Sequence, residues 1–387
     1  MNRSYLDHNA TSPMRPEVLT TMTKALQTGG NASSVHHEGR RARAMLEHAR
    51  QQVAALVGGD PAGLVFTSGG TEACHLALQT RKAPAGETTR ILVSAGEHAA
   101  VLAAADIQGL AVETLPLLGN GQIDLAALDV ALENPAPALV AVMAANNETG
   151  VIQPVRDIGE KVKSHGSLFF CDAVQAAGKI PLNMARAGID LLSLSGHKLS
   201  GPSGVGALLA GPSVALMPVL HGGGQELRRR AGTENLAGIA GFGQAAELAA
   251  THIAAYETLA EMRDDMEIAM QQAAPEMEVF GADAPRLPNT SCFSAAGLKA
   301  ETLVMALDLA GISVSAGSAC SSGKVTRSHV LEAMGVQSSL SDGAIRVSLG
   351  WDSTPQDTRK LADVWLQQVS RLHRSEAQLT TAGSAAE

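Results

Sequence analysis

Short, mostly apolar runs alternate along this chain with longer stretches in which apolar residues recur every three or four positions. The runs at 64–67, 91–94, 111–115, 139–144, 168–171, 190–194 and 205–209 are strand candidates, and most are separated by helical segments or turn clusters. A strand that is apolar at nearly every position has no face left for solvent. Strands of that kind, separated by helices, predict a mainly parallel sheet covered on both sides. Ahead of them, 16–27 reads as a helix with Pro16 at its first position and Gly29-Gly30 beyond its end. A second helix, 40–57, stops at Gly58-Gly59.

The order changes after a long Ala- and Leu-rich helical stretch at 233–272. A strand near 290–294, a helix at 300–310, strands at 312–314 and 344–349 and a last helix from Pro355 predict a smaller α+β unit. The expected fold class is therefore α/β. The expected division is a large unit over 12–255 and a small one over 256–375 joined by 1–11. The residues 376–387, small and polar, are expected to be disordered.

Composition narrows the function classes. A formal charge of −9 with no Lys/Arg run argues against nucleic-acid binding. No apolar run is long enough to span a bilayer, and the first residues lack the apolar stretch of a signal peptide. The four cysteines lie far apart with no C-x-x-C, so neither a disulfide framework nor a structural zinc site is expected. A cytoplasmic protein with reduced thiols is the expectation. The chain has no G-x-x-x-x-G-K-[ST] and no G-x-G-x-x-G. His221-Gly222-Gly223-Gly224 resembles a lipase oxyanion loop, but no G-x-S-x-G elbow accompanies it.

Several short motifs carry candidate chemistry. In Ser195-Gly196-His197-Lys198-Leu199-Ser200-Gly201-Pro202, a lysine follows a buried strand within a tight turn. Burial favours the neutral, nucleophilic amine of a Schiff-base lysine, although taken alone the motif reads better as an ordinary loop lysine. Asp172, in Phe170-Cys171-Asp172-Ala173-Val174-Gln175, falls at the carboxyl end of a parallel strand, the ligand edge of such sheets. A carboxylate there can keep a pyridine-ring cofactor protonated, with Gln175 one turn on to donate to a phenolic oxygen, or it can simply cap a helix. Thr67-Ser68-Gly69-Gly70-Thr71-Glu72 is a Gly-rich strand-to-helix turn able to meet a phosphate, with Ser195 and His197 as further donors. Glu97-His98 and Asn146-Asn147-Glu148-Thr149-Gly150 end two more strands; His98 can stack on a ring and move protons, or serve as a cap. In Arg230-Ala231-Gly232-Thr233-Glu234-Asn235, Thr233 opens a long helix and can cap it or reach a phosphate. Ser315-Ala316-Gly317-Ser318-Ala319-Cys320-Ser321-Ser322-Gly323 places a cysteine on a loop of small residues, where a thiol can meet a ligand and leave again. By contrast Cys292 reads as core, Cys171 as core or cofactor-adjacent, and Cys74 as one face of a helix.

Taken in order, Tyr5-Leu6-Asp7-His8-Asn9-Ala10-Thr11, Gly30-Asn31-Ala32-Ser33-Ser34, the 67–72 turn, Glu97-His98, 146–150, 172–175, 195–202, 222–226, 232–235 and 317–323 closely resemble the cysteine desulfurases. These are enzymes of the NifS/IscS type on the class V aminotransferase scaffold, the fold type I of pyridoxal-phosphate (PLP) transferases. The resemblance implies PLP as cofactor, with Lys198 as its anchor and base, and His98 stacking and shuttling protons. It implies Asp172 at the pyridine nitrogen, Gln175 at the phenolic oxygen, and Gly70, Thr71, Ser195 and His197 at the phosphate. Thr233 would join the phosphate from the partner of a homodimer. Asn147 and Arg346 would grip the carboxylate of L-cysteine. Cys320 would take the sulfur as a persulfide and pass it to an iron–sulfur scaffold protein or another acceptor. No intrinsic metal is implied, beyond a transient contact of Cys320 with an iron–sulfur cluster. Phe170, His75, Ser203 and Trp351 depart from the usual His, Asn, Lys and Arg of the family. Selenocysteine lysis or another class V reaction is the nearest rival, and a non-catalytic scaffold the rival of a different class.

Overall fold

The apolar runs pair with one another because each must bury both of its faces. The computed structural model describes residues 3–317 and 327–384. It opens with β1 (Ser4–Tyr5), α1 (Pro16–Thr28) and α2 (His37–Leu56). Strand β2 (Leu64–Thr67) runs into α3 (Gly70–Leu78), and a hairpin of β3 (Lys82–Ala83) and β4 (Gly86–Glu87) leads to β5 (Arg90–Ser94). There follow α4 (Ala99–Asp106), β6 (Ala111–Leu115), α5 (Leu125–Leu132), β7 (Ala138–Ala141) and α6 (Val155–Ser164). Three more strands, β8 (Leu168–Asp172), β9 (Leu191–Ser195) and β10 (Gly206–Ala210), complete one seven-stranded sheet.

Its order is β2-β10-β9-β8-β7-β5-β6. From β6 to β9 the neighbours are parallel, whereas β10 is antiparallel to both β9 and β2. Alternate residues feed opposite layers. Leu92, Val140, Phe169 and Leu192 pack with residues of α1, α2, α5, α6 and a later helix, Leu236–His252. Ile91, Leu139, Phe170 and Leu191 pack with α3 and α4. Phe170 thus belongs to the apolar core.

The rest of the chain builds a second core. Helix α7 (Leu236–His252) packs on α1 and α2, and α8 (Ala255–Ala273) packs on the last helix, α12 (Pro355–Ser384). Between them lie β11 (Glu278–Val279), β12 (Thr290–Ser294), α9 (Ala300–Leu309), β13 (Ile312–Ser313), β14 (Ser315–Ala316), α10 (His329–Ala333), α11 (Ser338–Ser341) and β15 (Ile345–Ser348). Strands β11-β12-β15-β14 form an antiparallel sheet, with Phe293 and Trp365 edge to face at 5.7 Å beneath it. The N-terminal β1 pairs in parallel with β13.

Two expectations change. The stretch 233–272 is two helices, interrupted at Ile253 and Ala254, because its halves pack on different cores. The last helix continues to Ser384, where a disordered tail was expected from 376; Glu376, Ala377, Gln378 and Leu379 are good helix formers and no Pro interrupts them.

Sheet and site meet closely at Gly206. A Cβ there would lie 2.6 Å from the carbonyl carbon of Gly69 and 2.7 Å from the oxygen of Leu194, both backbone atoms. Gly206→Ala is therefore expected to destabilise the apoprotein by about 1–3 kcal/mol through overpacking. Gly119→Ala, whose nearest neighbour would be Met334 O at 3.9 Å, is expected to stay within about 0.5 kcal/mol of the parent. Urea midpoints of the three proteins decide the matter, and equal midpoints would show that the 69–70 turn yields freely.

Candidate active site

The carboxyl ends of β2, β5, β7, β8 and β9 open on one cavity, the edge where α/β sheets take their ligands. Gly70, Thr71, Cys74, His98, Met143, Asn147, Asp172, Val174, Gln175, Ser195 and His197 line it. Eight of the residues singled out in the sequence are thus brought together. Lys198 and Arg346 adjoin the group through Asn9 and Asn147.

Lys198 ends the 3-10 turn Gly196–Lys198 that follows β9. Its Nζ donates to the carbonyl oxygens of Asn9 at 2.6 Å and Ala10 at 2.7 Å. Burial and the nearby Arg346 guanidinium depress its pKa to about 8, with Asp7 and Asp172 opposing. Asp172, the last residue of β8, accepts from Val174 N at 3.0 Å and Ser193 Oγ at 2.9 Å, both on Oδ1.

His98 caps α4, its Nδ1 accepting from Ala100 N at 3.1 Å. A backbone N–H can only donate, so the neutral ring carries its proton on Nε2. The ring is open to solvent at the cavity but otherwise surrounded by protein. That desolvation lowers its pKa against the pull of Asp172, with Lys198 and His329 adding to the fall. His197 Nδ1 lies 2.7 Å from Thr11 Oγ1, and burial together with Lys198 brings its pKa down to about 4.

Arg346, on β15, is 3% exposed. Nη1 donates to Asn147 O at 3.1 Å, and Nη2 donates to Asp7 Oδ1 at 2.8 Å and Ser315 Oγ at 3.1 Å. Its buried Nε has no partner among the described residues.

Thr233 is exposed and does not line the cavity. Cys320 lies outside the described residues. Ser203 is exposed, and His75 ends up half-buried in the last turn of α3. Trp351 donates to Pro13 O at 3.1 Å, with the Arg15 guanidinium 5.0 Å over its ring.

Sequence reasoning gave no role to Asn9 or Lys179. Lys179 is buried, donating to Asn9 Oδ1 at 2.8 Å and Gln175 Oε1 at 2.9 Å, while Gln175 Nε2 donates to Asn9 O at 3.0 Å. Burial, then Lys198 and Arg346, hold its pKa well below the usual lysine value. The one available signal was the position of Asn9 within the 5–11 segment. Cys74 also lines the cavity, but burial keeps its thiol protonated.

A mixed sheet flanked by helices, with lysine, strand-end carboxylate and Gly-rich turn at one edge, defines a fold type I transferase scaffold. The family profile of aminotransferase class-V matches residues 4–361. A cysteine desulfurase of Trichormus azollae is 42% identical over 377 residues, covering 96% of this chain and 94% of its own. Cysteine desulfurase IscS of Dictyoglomus turgidum is 39% identical, covering 95% of each chain. The X-ray structure of a NifS-like protein from Rickettsia africae superposes with a TM-score of 0.87 at 31% identity, covering 95% of this chain and 99% of that one. The chain belongs to the aminotransferase class-V family, on its cysteine desulfurase branch.

The depressed pKa of Lys198 has a definite sign. Only the neutral amine reacts with an electrophile, so reductive methylation of Lys198 in the apoprotein should rise with pH to half its maximum near pH 8. Exposed lysines should reach half-maximum near ~10.4. Peptide mass spectrometry after brief exposure to formaldehyde and borohydride at stepped pH follows both. A Lys198 midpoint coinciding with that of exposed lysines would refute the electrostatic account.

Proposed function

We infer that this chain removes sulfur from L-cysteine, leaving L-alanine, with PLP as cofactor and Cys320 as the sulfur acceptor. The observation that carries the reading is the meeting, at one sheet edge, of an amine with a pKa of about 8, a carboxylate and a helix start without a side-chain cap.

The cavity suits PLP. Helix α3 begins at Gly70 with no side chain on its first amides, which leaves donors for a phosphate. A Cβ on Gly70 would come 3.3 Å from Val174 Cγ2, so the cradle is tight at that point. Gly70, Thr71, Ser195 and His197 would hold the phosphate, Asp172 the ring nitrogen and Gln175 the phenolic oxygen, with His98 against the ring and Lys198 as anchor. When bound, PLP supplies an electron sink for the pair left at the substrate Cα.

The chain's own groups do the rest. Arg346 and Asn147 would bind the substrate carboxylate, a task suited to a guanidinium fork. Lys198, its pKa brought down to about 8 chiefly by burial, would move the Cα proton. The Cys320 thiolate would attack the substrate Sγ. As the Cβ–Sγ bond breaks, the sulfur stays on Cys320 as a persulfide, and the electron pair with a proton at Cβ completes alanine. Nε2–H of His98 is a candidate source for that proton. Cys74, Cys171 and Cys292 make poor substitutes, because burial pushes each thiol pKa up and disfavours the thiolate.

A homodimer belongs to the proposal. Thr233 is exposed, and Met217, Leu220 and Leu227 in the segment before it are 50%, 44% and 65% exposed, an apolar surface that a second copy would cover. The partner subunit's Thr233 would then complete the phosphate site. The persulfide would be handed to an iron–sulfur scaffold protein or another acceptor in the cytoplasm. No helix among the described residues is long and apolar enough to cross a membrane.

The test is alanine released from L-cysteine by PLP-loaded protein with a reductant present. Wild type should turn over, and Cys320→Ala should be slower by at least about a hundredfold. Equal rates would remove Cys320 from the mechanism. No alanine from a protein that visibly holds PLP would point to a different substrate.

A further inference from the structure

The turn after Gly224 and the ion pair between Arg230 and Glu72 have no part in the chemistry above, yet both bear on the phosphate cradle. Glu226, Leu227 and Arg228 take successive φ values of 46°, 56° and 64°, a left-handed stretch that side chains rarely adopt. A buried clamp holds it. Glu226 accepts from Arg50 Nη1 at 2.9 Å and Nη2 at 2.8 Å, and from the backbone N–H of Phe66 at 2.9 Å. The turn is thereby tied to β2, the strand that leads into the 67–72 loop.

From this anchor the chain brings Arg230 onto Glu72. Nε lies 2.9 Å from Oε1 and Nη2 lies 3.3 Å from Oε2. Glu72, in the first turn of α3, reaches back to accept from Ser68 N at 2.7 Å. That bond fixes the loop just before the uncapped amides of Gly70 and Thr71. It also puts a carboxylate beside the place where an anion would bind. A helix start attracts anions, and an uncompensated negative charge next to it opposes that attraction. Arg230 cancels the charge without breaking the Ser68 bond.

We propose that Arg230 and Glu72 are a positioning pair for the cofactor phosphate: Glu72 holds the loop, and Arg230 neutralises it so that the cradle accepts a phosphate. This rests on the assignment of PLP as cofactor. The pair predicts a reciprocal pattern that a general structural role would not produce.

The experiment is equilibrium binding of PLP to full-length apoprotein, followed by visible absorbance, with pyridoxal (no phosphate) as the parallel ligand. Arg230→Met should weaken PLP about tenfold and leave pyridoxal unchanged. Glu72→Gln, which keeps an acceptor for Ser68 N, should bind PLP at least as tightly as wild type. The double variant Arg230→Met with Glu72→Gln should return to within about threefold of wild type, since no charge is left to offset. Arg230→Lys, which keeps the charge, should retain most of the affinity, and Arg230→Gln, with the same tenfold loss expected, carries the comparison if Arg230→Met does not fold. Wild-type affinity in Arg230→Met overturns the proposal, as does equal loss of PLP and pyridoxal. So does a double variant no better than Arg230→Met, the result expected if Arg230 touches the phosphate itself. If wild type takes up neither ligand, the cofactor assignment fails and the pairing falls with it.

Discussion

The site depends on a buried amine whose hydrogen-bond acceptors are carbonyl oxygens rather than a carboxylate. Lys198 finds the backbone oxygens of Asn9 and Ala10, which bind its protons without supplying a full negative charge. Had an aspartate taken their place, the ammonium would be stabilised and the pKa would rise back toward the ordinary lysine value. The segment carrying those carbonyls is therefore as much part of the site as the lysine. It is fixed from both cores: His8 N and Asn9 N bond to the backbone and side chain of Ser348, while Ser12 N bonds to His197 O and Arg15 N to Ser200 O. Asn9 also donates through Nδ2 to Thr290 Oγ1 at 2.9 Å and Asn147 O at 3.3 Å. One residue thus touches the lysine, the Gln175–Lys179 pair and the residues beside Arg346.

Much of the large sheet was legible because its strands are buried on both faces and so read as mostly apolar runs. Each of the seven runs became a strand, with ends shifted by a few residues. Direction was not legible: nothing in Gly206–Ala210 distinguishes an antiparallel strand from a parallel one, because the sense is set by the short connection from Lys198. Ala111–Leu115 carries Glu113 and Thr114 and still forms a strand; its first four residues are exposed, since it closes an edge of the sheet. Position at an edge is a property of the assembly, not of the run.

The site was partly legible for a related reason. Asp172, His98, Asn147 and Ser195 follow strand ends, and parallel strands deliver their ends to one edge. Lys179 was invisible, because a lysine after a glycine in a turn ordinarily faces water; here Gly178 takes φ +73° and the side chain is turned inward onto Gln175 and Asn9. Asn9 was recognisable only as part of a familiar segment, since its main contribution is a backbone oxygen and any residue has one. Cys74 shows the converse. It lines the cavity, but a cavity wall is not a reactive environment when burial holds the thiol neutral.

The charge pattern explains why such a centre can exist in a chain of net charge −9. Lys179, Lys198 and Arg346 are close enough for the last two to depress the first, and for Arg346 to depress Lys198. Against them stand Asp7, bonded to Arg346, and Asp172 at the end of β8. Burial pushes the Glu97 carboxyl pKa well up, which favours its neutral form. The centre is therefore short of negative charge wherever Lys179 holds its proton. Anionic ligands relieve that shortage, and a neutral ligand of the same shape would not. The same repulsion that lowers the Lys198 pKa favours anionic groups beside it, so one arrangement of cations suits both a reactive amine and an anionic ligand.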